Sequence, residues 1–154
     1  MIPLAISLHI LSATIWVGGM FFAYLILRPI AALQFEAPTR LTLWSNIFSK
    51  FFPWVWASVV LLLGTGFWLI EKKFSGMQFV AAHVHIMLSV GIIMMLIFTY
   101  LFFIPHRRLN QAVNQQNWPE AGKALAQIRV LIGINLSLGL SVIVVASAGR
   151  YLFT

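Results

Sequence analysis

The chain has 154 residues, 61% of them hydrophobic and 8% charged, with a net charge of +7 and no cysteine. A water-soluble domain is usually about 25% charged, so this composition excludes one and places the chain among membrane proteins. The lack of cysteine excludes disulfides, thiolate metal sites and iron–sulfur clusters.

Four stretches carry no Asp, Glu, Lys or Arg: Met1–Leu27, Phe51–Ile70, Phe74–Pro105 and Val130–Gly149. Each supplies the roughly 20 apolar residues needed to cross a bilayer. The pattern predicts an all-α, four-helix membrane bundle in one domain, 1–154, with helices over about 3–27, 54–70, 77–104 and 130–151. The first stretch has no basic residue before Arg28, and it is too long for the apolar core of a signal peptide. It is read as a retained helix, ended by Pro29. In the first loop, "PTRLTLWSNIFSKFFPW" sets Leu41, Trp44, Ile47 and Phe48 at helical spacing. That piece is either an amphipathic helix lying on the membrane or an extension of the second helix. The second helix carries "LGTGFW", whose Gly64 and Gly66 allow close approach of a neighbour. The short turn "EKKFSG" makes the second and third helices antiparallel neighbours, and the third helix ends at "PHRRL". Trp118-Pro119-Glu120 has the form of a helix start, so the fourth helix begins inside the third loop.

Basic residues set the expected topology. The first and third loops hold Arg28, Arg40, Lys50, Arg107, Arg108, Lys123 and Arg129, and the other side holds Lys72, Lys73 and Arg150. The positive-inside rule then puts those loops in the cytoplasm and both termini on the outer, periplasmic side of a bacterial inner membrane. This distribution, with contact to anionic lipid headgroups, accounts for the net charge without a nucleic-acid partner.

Ionisable residues within a bilayer usually face the bundle interior. By this topology His9, His83 and His85 share one depth near the outer face, while His106 stands at the opposite end beside Arg107 and Arg108, as an interface anchor. Imidazoles on facing helices suit haem iron or copper. Zinc is disfavoured, because no carboxylate except Glu71 is near that depth to complete its ligand set. Ser12, Trp16 and Gly19 share the face of His9. They offer room for a flat macrocycle and an aromatic edge against it, or, for the glycines, simple helix packing. His83 and His85 lie about 200° apart on their helix, so both cannot reach one point. Met87, Val90 and Met94 share the His83 face, and Ser89, Ile92 and Thr99 the His85 face. Met20, Met87, Met94 and Met95 are soft enough for copper, although scattered methionine also serves packing.

The segments "LHILSATIWVGGMFF", "LLLGTGFWLI", "AAHVHIMLSV" and "PHRRL", in that order, resemble the CopD-like superfamily, which includes the copper-resistance protein D membrane domain and HemJ-type protoporphyrinogen oxidases. The resemblance implies haem b held through His9 and His83. The third-helix "LHVK" of the HemJ-type enzymes reads "AHVH" here, with His85 in the lysine position, and "FFAYLIL" lacks the arginine they carry in the first helix. The copper-resistance relatives imply copper uptake, although no Met- or His-rich collecting segment is present.

These features point to a small b-type haem protein acting in electron transfer or redox chemistry near the outer membrane face. Its partner is expected to be a quinol, a periplasmic redox protein or a reactive oxygen species. The expected site residues are His9 and His83 as ligands, His85 as the alternative, with Trp16, Gly19 and the propionate-holding Arg150. A copper-binding or copper-transporting membrane protein is the main alternative, and an oxidoreductase of the protoporphyrinogen oxidase type a further one.

Overall fold

The structure, a computed structural model, describes residues 1–75 and 77–152, with only the backbone of Phe74, Phe79, Arg150 and Leu152. Helix α1 (Ile2–Phe21) widens into one turn of π-helix (Phe22–Leu27) and continues as α2 (Arg28–Gln34). Helix α3 spans Ala37–Phe74, and a 3-10 turn (Met77–Phe79) leads to α4 (Ala82–Phe103). Two further helices follow, α5 (Pro105–Asn114) and α6 (Trp118–Leu152). No strand occurs among the described residues. Four spans are long and apolar enough to cross a membrane: Ile2–Gln34, Ala37–Lys73, Ala82–Asn114 and Trp118–Gly149. The molecule is an integral membrane four-helix bundle.

The first helix does not end at Pro29. Proline inside a helix clashes with the carbonyl four residues back, here that of Leu25. The wide turn from Phe22 to Leu27 makes room, with the Arg28 N–H bonded to the Ala23 carbonyl five residues back. The first loop is likewise mostly helix. It extends α3 through Pro53 as one helix of 38 residues, about 57 Å at 1.5 Å per residue. A bilayer core is about 30 Å thick, so α3 projects well beyond it. Leu41, Trp44 and Phe48 on this extension are buried. They join the bundle core, with Phe48 against His106 of α5, and do not face a lipid surface. The same 3.6-residue apolar period serves either use, and only the neighbours decide between them.

The third helix begins at Ala82, later than its apolar run suggests, because Ala81 is extended (φ −62°, ψ 152°). It breaks at Ile104, where the following Pro105 disfavours helical backbone. The fourth starts at Trp118, as the Trp-Pro-Glu signal predicts, with the Asn117 side chain accepting from the Glu120 N–H (3.5 Å).

Helix α1 packs chiefly on α3, and α4 on α6. Their common core is aromatic. Phe52 stacks on Phe48 (5.1 Å between centroids) and meets Phe98 edge-on (5.4 Å), and Phe98 touches both Trp16 and Trp56. Val60, Leu96, Val130 and Val144 turn outward and are more than half exposed, as lipid-facing positions are.

Candidate metal or cofactor chamber

Between α1, α3, α4 and α6, at the end where both termini lie, is a cavity of about 360 Å³. His9 and Trp16 of α1 line it, with Gly66 of α3, His83 and Met87 of α4, and Gly139 of α6. Met94 and Met95 form its deeper wall, and Lys73 its edge near the end of α3. No acidic side chain contributes.

The imidazole of His9 is held by α3. The Thr65 hydroxyl donates to the Leu61 carbonyl in its own helix, so its oxygen is left to accept. His9 Nδ1–H therefore donates to Thr65 Oγ1 at 2.8 Å. This bond selects the tautomer and leaves the Nε2 lone pair for another partner, the usual arrangement behind a metal-ligating histidine. Residue 66 packs beside the ring: a Cβ there would sit 3.5 Å from His9 Cε1, at ordinary contact distance. Gly149 of α6 does make room for His83, since a Cβ there would come within 2.9 Å of the His83 Cβ. His83 is partly buried in the first turn of α4 and makes no hydrogen bond among the described residues.

His9, His83 and Trp16 thus share the chamber. His85 does not line it and is exposed, as the 200° offset requires. Gly19 is not part of the wall either: it lies against the Phe51 ring of α3, where a Cβ would collide. Its role is helix contact. The side chain of Arg150 lies outside the described residues. Met87 and Met94, on the His83 face, line the cavity with it. Met20 is buried in the core and is not a wall residue.

His106, expected at the membrane interface, is 5% exposed. It lies edge-on to Phe52 (4.7 Å) beside Phe48 and Phe102. Its Nε2 is 3.4 Å from the Asn110 amide, whose oxygen accepts from the Ser45 hydroxyl (2.6 Å). The break before Pro105 swings this helix back under α3, which converts a surface position into a core one.

Thr65 is the residue that sequence reading missed. Its only signal is a hydroxyl between two glycines in "LGTGF", and a threonine bonded to its own helix is commonplace in apolar spans. Among the described residues no three His, Cys, Asp or Glu side chains converge. A metal in the chamber would therefore depend on the two imidazoles, helped by thioethers or by a macrocycle.

Comparison with curated proteins and with solved structures finds no match. The family model for copper resistance protein D matches residues 45–148. That region includes Thr65, His83 and Met87 and leaves α1, with His9, outside it. With more than half of its length matched, and with four membrane-spanning helices in the matched fold and its flank, the chain belongs to the copper resistance protein D family.

Proposed function

We propose that this membrane protein binds copper in its cuprous form as cargo, in the chamber between His9 and His83, on the path of the ion into or across the bilayer. The observation that carries the reading is the free Nε2 of His9, oriented by Thr65 into a cavity that also receives His83 and Met87. Imidazole and thioether are neutral, and thioether is soft. A chamber without carboxylates matches a monovalent soft ion better than a divalent hard one. His9, His83 and Met87 would hold the ion, with Met94 and Met95 the next donors inward. Under this reading the chamber opens to the periplasm of a bacterial inner membrane, following the basic-residue distribution.

A second reading is favoured by the same pair of imidazoles on separate helices and the apolar, glycine-relieved walls. It is a b-type haem with His9 and His83 as axial ligands, supplying one-electron chemistry with a quinol or periplasmic partner. The residues fit both groups, and the same preparation distinguishes them. The purified chain should retain about one cuprous ion in competition with a chromophoric chelator. His9→Ala and His83→Ala should each weaken retention by at least tenfold, and His85→Ala should leave it unchanged. A Soret band that disappears in His9→Ala would replace copper by haem. Copper retention equal in all three variants, with no Soret band, would remove the chamber as a site.

A further inference from the structure

The opposite end of the bundle carries a second cavity, of about 420 Å³, that the copper reading does not use. Three guanidiniums line it from three separate segments: Arg28 just after the π-turn, Arg40 of α3 and Arg129 of α6. Tyr24 and Trp44 complete its polar and aromatic wall. We propose that this crevice binds the phosphate group of an anionic phospholipid.

The charge is uncompensated. No acidic residue lines the cavity, and the ion pair found among the described residues, Lys123–Glu120, lies elsewhere. Arg28 and Arg40 are half-buried and Arg129 is exposed, and cations gathered around one crevice favour an anion among them. The positions are also built by the fold. Arg28 lies 4.7 Å over the Tyr24 ring. Tyr24 can rest against α6 because residue 133 is glycine: a Cβ there would be 3.1 Å from the Tyr24 hydroxyl. Arg40 Nη1 donates to the Phe35 carbonyl (3.1 Å), which fixes that side chain and leaves its remaining N–H groups available. The Arg129 guanidinium and the Tyr24 hydroxyl have no partner among the described residues. Tyr24 lies within the π-turn and Arg28 directly follows it, and such a helix distortion is frequent at functional sites.

Arginine suits phosphate because its planar fork makes paired, charge-assisted bonds. A basic pocket between transmembrane helices is a recognised form of lipid-headgroup site. The lipid source, as opposed to a soluble phosphate, follows from the rim. Leu25 lines the cavity and is itself 51% exposed. Val130, next to Arg129, is 59% exposed. An acyl chain leaving the crevice would therefore run along apolar helix surface without crossing water.

Native mass spectrometry of the full chain, offered phosphatidylglycerol and phosphatidylcholine with the same acyl chains, tests this. One phosphatidylglycerol should be retained in preference to phosphatidylcholine. Arg129→Gln, an exposed and structurally mild change, should weaken that binding roughly fivefold, the effect of about one basic residue near a lipid surface. Arg28→Gln with Arg129→Gln should weaken it further. Arg107→Gln with Arg108→Gln, which removes two exposed cations outside the crevice, should leave it unchanged. Equal loss in the Arg107/Arg108 pair, or no preference for phosphatidylglycerol in the unaltered chain, would overturn the site. Displacement of the lipid by millimolar inorganic phosphate would overturn the lipid source, and retention would support it.

Discussion

His9 is an imidazole that the fold holds in one orientation, and the orienting atom belongs to another helix. Thr65 accepts from His9 Nδ1–H because its own hydrogen is committed to Leu61. Outer-shell bonds of this kind typically change metal affinity by about 10- to 100-fold when removed. Thr65→Val keeps the shape and deletes the acceptor, so it should weaken cuprous-ion retention by about tenfold or more. Thr65→Ser should restore it. The measurement is chelator competition, with the unfolding temperature as a control for general damage. Equal retention in Thr65→Val would mean that the bond is structural only. At the same scale His106 shows how position in the chain can mislead. It stands beside two arginines in sequence, yet its ring is enclosed by Phe48, Phe52 and Phe102.

Between elements, α4 and α6 form one of the two main helix pairs of the bundle, and a buried polar tie joins them in addition to the exposed Gln127–Tyr100 bond. Asn135 Nδ2 donates to the Met94 carbonyl at 3.1 Å, and the residue is 1% exposed. Its Oδ1 finds no protein partner. Interhelical hydrogen bonds in membranes average about 0.6 kcal/mol and reach about 1.7. Asn135→Leu loses the bond but also removes the unsatisfied oxygen, so its unfolding free energy should change by less than about 1 kcal/mol. Asn135→Ala loses the bond and leaves a void, and should be less stable by about 1–3 kcal/mol. Unfolding in mixed micelles reads both. The reverse order would show that the amide contributes more than one bond. Met94 lines the histidine chamber, so the same tie helps fix its inner wall.

For the whole molecule, two cavities occupy opposite ends of one bundle. One is lined by imidazole and thioether, the other by guanidinium. This separation follows the charge distribution, because the loops at the arginine end carry seven of the ten basic residues. The positive-inside rule predicts that this end is cytoplasmic. A periplasmic reporter fused after Thr154 should be active, and a cytoplasmic one inactive. The opposite result would turn the histidine chamber to the cytoplasm.

The spans were legible in the sequence because hydropathy and charge act locally. Bilayer insertion depends on the composition of about 20 consecutive residues, whatever their partners. The same holds for the Trp-Pro-Glu start of α6 and for the incompatibility of His83 and His85 with a single point, since both rest on backbone geometry within one helix. The ends of the helices were less legible. Pro29 signals termination, but a π-turn absorbs it, and of the two readings of the first loop the extension through Pro53 is the one α3 adopts. Which polar atoms meet was decided by tertiary structure alone. The Thr65–His9 bond joins residues 56 apart in the chain, and the arginine crevice draws on three segments. Helices apolar on every side carry no pattern that states their rotation. That rotation is set by where glycine lets a neighbour approach: Gly19 at Phe51, Gly149 at His83, Gly133 at Tyr24. It is this packing that gathered a scatter of histidines, methionines and arginines around two cavities.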